Sequence, residues 1–247
     1  LFSNNIQDYE YCFRRCYNLT TVTGTPFGTR AYKLGGIFAE CSSLTTVSIN
    51  TFNNCSNAGE IGYAFANCTA LKTVIQYCTK LTYAAGFFEG AGITALPSNF
   101  FGRITTDCNF TGVCHDCKNL TSIGTNAFPL TANQFYGAFW GCSALTDATN
   151  FFRGAYSKCT NASNLFRESA ISMLPGDAFA NWTALRTLEA AFQGCTNLKT
   201  CPSATNGLID GCTSLTTMAY MFNGCTNFVG DRSYVDTLWL TKQNSLA

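Results

Sequence analysis

The sequence predicts an α/β repeat solenoid of about nine coils, each contributing short helical turns and a strand to a parallel β-sheet. Three observations predict it. An apolar anchor recurs at Leu19, Leu44, Leu71, Ile93, Leu120, Leu145, Ile171, Leu198 and Phe228, in steps of 25, 27, 22, 27, 25, 26, 27 and 30 residues. Most anchors follow a Phe by six positions and a Cys by three, and most lead into a run of β-branched residues. Recurrence at such a period marks stacked units, because one unit cannot bury its apolar face until a neighbour covers it.

Residues 1–10 precede the register and are expected to form a cap or joint; the array is assigned to 11–229, and 230–247 to a C-terminal cap or linker. Within the array the clearest units are FAECSSLTTV (38–47), AFANCTALKTV (64–74), AFWGCSALTDA (138–148) and AFQGCTNLKTC (191–201). Their Phe, Cys and Leu are three residues apart, so in a helical turn all three return to one face. LTTV at 19 and 44, LKTV at 71, LTSI at 120 and LTTM at 215 then favour extended backbone. A second, weaker copy half a coil later has Ala58, Leu81, Ile104, Leu130, Leu185 and Leu215 as its apolar positions. Two helical turns and two extended stretches per coil follow. Gly, Pro and Asn mark the corners, as in LPSNFFG (96–102) and LPGDAFANW (174–182).

Apolar residues make up 47% of the chain and charged residues only 12%, so Thr, Ser, Asn and Gly must cover the outside. The net charge is +1 and the basic residues are scattered apart from Arg14–Arg15, a poor match to a run of phosphates. Nucleic acid is not expected as a partner, nor is membrane insertion, since no apolar run approaches the length of a spanning helix. The chain starts at Leu1 without an initiator Met or a signal-peptide pattern, as expected of a processed product, a fragment or part of something longer.

Of 15 cysteines, Cys16, Cys41, Cys68, Cys117, Cys142, Cys195 and Cys225 share the position three before the anchor, and Cys55, Cys78, Cys159 and Cys212 its half-coil equivalent. Trp182, or a small residue near Ala91 and Ser169, substitutes at the same place. That tolerance is how a packing position behaves, so these thiols read as small buried hydrophobes.

The string of F-x-x-C-T-x-L-T-x-[VIL] units, with A-F or M-F opening the turn, resembles the BspA-like, Treponema-type leucine-rich repeats over about 215 residues. The resemblance implies a leucine-rich-repeat-like, right-handed coil with its strands on the concave side. It also implies a surface-exposed protein that attaches to host molecules or other cells, with related repeats in phage host-recognition proteins. The family's IP dipeptide and strict 23-residue period are largely missing here.

The candidate binding residues are the two columns after the anchor: Thr20, Thr45, Lys72, Thr121, Thr146 and Lys199, then Thr21, Thr46, Thr73, Asp147 and Thr200. Stacked at about 4.8 Å per strand, they form a hydroxyl-lined stripe. It reads either as a recognition face or as strand propensity combined with hydroxyl-to-backbone bonds at corners. Lys and Asp interruptions and uneven coils spoil any flat ice-binding lattice. Off-register Tyr63, Tyr83, Trp140, Tyr220 and Trp239 are further contact candidates.

Cys114-His115-Asp116-Cys117 has a metal-like look, but even with Cys108 it lacks a second ligand pair at matching spacing and reads as packing. His115 is the single histidine, which weighs against Ser-His or Cys-His catalysis, and no nucleotide or zincin motif occurs. Seven Asn-x-Ser/Thr sequons (Asn18, Asn54, Asn67, Asn109, Asn119, Asn161, Asn181) are by-products of the repeat grammar. The expectation is a noncatalytic recognition or adhesion module without a cofactor, extracellular on a cell or virion surface, that binds a host or cell-surface glycan or protein. The alternative is a structural spacer or self-associating fibre subunit, hence a homo-oligomer.

Overall fold

In the computed structural model, residues 3–48, 51, 52, 55, 57–72, 79–199 and 207–228 are described. Repeats stack in parallel. The longest ladder runs unbroken through Asp8, Lys33, Glu60, Tyr83, Asn109, Gln134, Asn161, Thr187 and Thr217, each bridged to the next. Strands β4 (Cys108–Asn109) and β6 (Ala132–Gln134) widen it where they pair. The next residue of every rung turns inward: Tyr9, Leu34, Ile61, Ala84, Phe110, Phe135, Ala162, Leu188 and Met218 are all buried. Asp8 and Tyr9, in the segment expected as an N-terminal cap, already belong to this ladder.

The ladder continues through the Phe-x-x-Cys segment by alternating its amides. The N–H groups of Tyr9, Tyr11, Phe13 and Arg15 donate across to the carbonyls of Lys33, Gly35, Ile37 and Ala39 at 2.9–3.0 Å. Those of Cys12, Arg14 and Cys16 instead donate back to Tyr9, Tyr11 and Phe13, closing reverse turns. Farther along, Phe135, Gly137, Phe139 and Gly141 donate to Asn161, Ser163, Leu165 and Arg167, while Ala138, Trp140 and Cys142 close the turns. The Glu10 N–H donates to the Asp8 carboxylate at 2.9 Å, so every amide from Tyr9 to Cys16 is satisfied.

This alternation requires two left-handed residues per rung. One column is Tyr11, Gly36, Tyr63, Gly86, Gly112, Gly137, Asn164, Ala190 and Tyr220, with φ between 53 and 60°. The other is Arg15, Glu40, Asn67, Gly90, Asp116, Gly141, Glu168, Gly194 and Gly224, with φ between 55 and 76°. The expected helical turns are thus corrected to consecutive reverse turns. Three-residue steps still bring Phe, Cys and Leu to one side, but left-handed residues and cross-rung donation forbid the i→i−4 bonds of a helix. Among the described residues the one α-helix is α1 (Thr149–Phe152).

The LTTV stretches form the second set of parallel pairs: β1 (Thr21–Val22) with β2 (Thr46–Val47), and β3 (Ala95–Leu96) with β5 (Ser122–Ile123). Here too the pattern differs from expectation, since among the described residues the continuous ladder lies on the half-coil copy and these strands appear as two separate pairs. Leu130, expected among the inward half-coil positions, is 61% exposed; Cys108 and Ala132 fill the paired inward places in those rungs.

Between the two sets lies a core of stacked rings. Phe13, Phe38, Phe65 and Phe88 follow one another at centroid spacings of 5.5, 5.6 and 6.0 Å, and Phe139, Phe166, Phe192 and Phe222 at 5.0, 6.0 and 5.5 Å. Cys114 interrupts this rail. The missing volume is supplied by Phe110 and Phe135, which stand in the inward column that holds Ala84 and Ala162 on either side. Interiors pack to constant density, so a small residue in one column calls for a large one in the next.

The register thiols bond as well as pack. Sγ of Cys41, Cys68, Cys117, Cys142, Cys195 and Cys225 lies 2.9–3.1 Å from the carbonyl of Phe13, Phe38, Phe88, Cys114, Phe166 and Phe192, the Phe-column residue of the preceding rung. Burial pushes the thiols of Cys68 and Cys195 up to about 12 and that of Cys41 to about 11. Only thiolates react, so these groups are inert in the folded state. Cys12 and Cys16 are exposed.

Two predictions follow from this geometry. Peptide mapping after brief alkylation of native protein should find label on Cys12 and Cys16 and none on Cys68, Cys142 or Cys195 until denaturant is added; early label on Cys142 would contradict the packing. Ala190→Gly, at a left-handed position, should raise stability by about 0.5–1 kcal/mol, since non-Gly residues are strained there. Ala191→Gly, one residue on at a buried position with ordinary φ, should lower it. Urea unfolding midpoints of the pair test the sign.

Candidate binding surfaces

The predicted stripe lies at the surface. Thr20, Thr21, Thr45, Thr46, Lys72, Thr121, Thr146, Asp147 and Lys199 are all exposed, while Thr73 and Thr200 lie outside the described residues. Its first column is knitted to the backbone. Thr45 Oγ1 donates to the Thr20 carbonyl at 3.0 Å, Thr121 Oγ1 to Thr94 at 2.9 Å, and Ser172 Oγ to Thr146 at 3.2 Å. The same hydroxyl-to-preceding-rung bond recurs at Thr82, Thr105, Thr160 and Thr216. One oxygen thus clips two rungs and keeps its lone pairs toward solvent.

The second column is freer. Thr21 and Thr46 stand opposite each other in register, as do Ala95 and Ser122. Asp147 is otherwise engaged: its carboxylate accepts the Thr149 N–H at 2.8 Å at the start of α1, and its bonds to Thr149 hold it below the usual carboxylate range. Among the described residues the column is joined in three separate runs. Backbone bonds link Thr20 to Thr45, Lys72 through Thr94 to Thr121, and Thr146 through Ser172 to Lys199.

A second surface follows the turn ribbon. Arg14 and Arg15, the only adjacent basic pair, both close on Glu40 of the next rung: Arg14 Nε and Nη2 lie 2.9 and 2.6 Å from Oε1, and Arg15 Nε 2.8 Å from Oε2. Farther along, Glu89, His115, Trp140 and Arg167 occupy one column. His115 Nδ1 lies 3.9 Å from Glu89, its ring centroid 5.1 Å from that of Trp140, and the Arg167 guanidinium 4.5 Å from the centre of the Trp140 ring. Trp140 Nε1 donates to Glu168 at 3.2 Å. Trp140, a candidate contact aromatic, is therefore held between His115 and Arg167.

Tyr63, Tyr83 and Tyr220 are exposed, and Trp239 lies outside the described residues. The candidates did not include Tyr11, Tyr32 and Tyr136, which are exposed beside the same ladder. Their signal was present in the sequence as positions that hold Tyr in one repeat and Gly or Thr in the next. Cys114 and Cys117 are buried register residues, and among the described residues no group of three or more His, Cys, Asp or Glu is placed to hold a metal.

No protein-family model and no curated protein matches the chain. Among solved structures it is similar to a leucine-rich repeat protein from Bacteroides ovatus, at 16% identity and a TM-score of 0.43 over 90% of this chain and 74% of that one. It is also similar to a leucine rich cell surface protein from Faecalibacterium prausnitzii, at 18% identity and a TM-score of 0.28 over 92% and 77% of the two chains.

The column geometry also sets the charge of His115. Glu89 raises its pKa above the ordinary value, burial opposes this, and Asp116 and Glu168 add to the rise. A raised folded pKa means the histidine contributes stability fully below its unfolded pKa of about 6.5, and loses that contribution as pH climbs through the folded value. As the single histidine gives one set of imidazole resonances, an NMR titration should show a pKa above the ordinary value, and Glu89→Gln should bring it down. An unchanged titration in that variant would remove Glu89 as the cause.

Proposed function

We propose that the protein is a noncatalytic recognition module, a right-handed solenoid of about nine coils of the BspA-like leucine-rich-repeat kind. It binds a host or cell-surface glycan or protein through its exposed parallel stretches, on the outside of a bacterial cell or a phage particle. The observation that carries the reading is the exposure of Thr20, Thr21, Thr45, Thr46, Lys72, Thr121, Thr146, Asp147 and Lys199 along stacked repeats whose backbone is satisfied internally. Such columns offer many weak polar contacts rather than a pocket, and display of several copies would multiply them.

A structural spacer or fibre subunit is the second reading, favoured by one observation. Phe13 and Leu19 are only half-buried and Cys16 is exposed, whereas Phe38, Leu44 and Cys41 in the next rung are buried. A second copy stacked beside Leu19 and Cys16 would bury them, as the next rung buries Leu44 and Cys41. Velocity sedimentation separates the readings, because end-to-end filaments support the fibre and a monodisperse monomer disfavours it.

For recognition, purified protein on glycan and cell-surface arrays should bind. Thr21→Ala with Thr46→Ala should weaken that binding by about tenfold, a loss of roughly 1.4 kcal/mol, with an unchanged melting curve. Silence on every array, or stripe variants that bind as the parent does, would count against the reading.

A further inference from the structure

Tyrosines gather on the turn-ribbon side of the first four rungs in a way that packing does not require. Tyr32, Tyr63 and Tyr83 are 46, 40 and 39% exposed, yet none dangles. Each ring fills the place where a glycine of an adjacent rung has no side chain: Tyr32 over Gly59, Tyr63 over Gly86, and Tyr83 over Gly62. Tyr63 and Tyr83 cross, the first reaching forward one rung and the second back one. The crossed rings form one cluster, in which burial raises the Tyr63 pKa and Tyr83 and Glu89 add to the rise. Tyr11 lies over Gly36 but carries Arg14 at 5.4 Å.

Rigid aromatic plates with a free side, held at successive rungs, suit ligands with repeated apolar faces. The charge around them limits the class. The bridging column beside the tyrosines reads Asp8, Lys33, Glu60, Tyr83, Asn109, so the signs alternate and no two like charges are neighbours. Glu89 is engaged by His115. No run of like charge recruits a polyanion or a polycation, whereas carboxylates and amides beside the rings can bond neutral hydroxyls.

We propose that Tyr32, Tyr63 and Tyr83, with Glu60 and Asn109 beside them, form a binding surface for a neutral polysaccharide lying across the rungs. Sugar rings pack on the tyrosines and their hydroxyls bond the flanking side chains. Tyrosine serves well here because a buttressed ring with few rotatable bonds loses little freedom on binding. The surface is distinct from the threonine stripe, so it extends the recognition reading without using the same residues.

The repeats themselves supply variants that should fold. In the equivalent columns the chain uses Thr82, Thr160 and Thr216 for Tyr32, Gly36 and Gly86 for Tyr63, and Thr187 and Thr217 for Tyr83. The test is native affinity electrophoresis in gels cast with soluble β-glucan, galactomannan, mannan or starch, with polygalacturonate and polylysine as charged controls. The parent should be slowed by at least one neutral polymer. Tyr32→Thr/Tyr63→Gly/Tyr83→Thr should bind it at least tenfold more weakly, while Leu130→Ala, at an exposed apolar side chain outside the cluster, binds as the parent.

Should the triple variant fail to fold, Tyr63→Gly alone, which relieves a left-handed residue, gives the same comparison. No slowing by any neutral polymer, slowing by a charged polymer alone, or binding that survives the tyrosine changes overturns the assignment. Loss on Thr21→Ala/Thr46→Ala with the tyrosine variant unaffected also overturns it, and leaves the recognition reading standing.

Discussion

The structure depends on how the turn segment disposes of its amides. Alternate residues donate to the next rung and those between them donate within the turn or, as Glu10 does, to a side chain, so a stretch without helix or extended strand still leaves no N–H of Tyr9–Cys16 unpaired. Unsatisfied buried amides cost about as much as a lost hydrogen bond each, so a segment stacked inside a repeat must adopt some such pattern. The cost appears in φ. Two residues per rung sit in the left-handed region, where a side chain is strained by about 1–2 kcal/mol, and the columns answer with Gly at many positions and with Asn or Asp at others. Gly90 and Gly141 show a second benefit, since Asn67 and Asp116 of the preceding rung occupy the space a side chain would need.

Once the backbone is closed in this way, the inward columns have one task, to fill the tube between the two extended stretches. Phe rings at 5.0–6.0 Å spacing do most of it. Cysteine fits the adjacent column because the Phe carbonyl already accepts the Cys amide of its own turn and has a second lone pair facing the next rung. A thiol is small enough to be buried there and is a weak donor toward that oxygen; alanine would leave it uncovered, and serine brings a stronger polar group. Two rungs depart from this: Ala91 takes the place without a donor, and Ser169 lies 3.6 Å from the Cys195 sulfur. Trp182 is bulkier than any thiol and its buried Nε1 has no partner, yet edge contacts with Tyr156 and Phe179 hold it.

Much of this was legible in the sequence. The period, the inward Phe and Cys columns and the two extended stretches per repeat follow from spacing alone, because burial imposes spacing directly. The turn geometry did not. Phe-x-x-Cys-x-x-Leu has the same three-residue step in a helix and in consecutive reverse turns, and the deciding signal lay in other columns, where Tyr11, Gly36, Tyr63 and Gly86 alternate. Leu130 misled because leucine is apolar wherever it stands, and the shifted pairing of β4 with β6 moves the inward place to Ala132. Of the candidate surface, the exposure of the threonine columns was readable, whereas the use of their hydroxyls as clips depends on carbonyls 25–27 residues away.

The same separation of tasks explains why surface chemistry varies so freely along the chain. A bridging residue contributes its backbone to the ladder and keeps its side chain outside the core, where Asp8, Asn109, Asn161, Thr187 and Thr217 each accept the N–H two residues on, so Asp, Lys, Glu, Tyr, Asn, Gln and Thr all occur in one column without disturbing the core. In the left-handed columns the exchange is constrained differently. Glycine relieves strain but leaves a notch, and a ring or amide from the neighbouring rung fills that notch, so large and small residues become coupled between adjacent repeats. Tyr63 on Gly86 is such a pair, and so is Asp116 on Gly141. What is exposed along the ribbon is therefore held in place by the notch beneath it, and side chains with no role in the core lose their freedom before any ligand arrives.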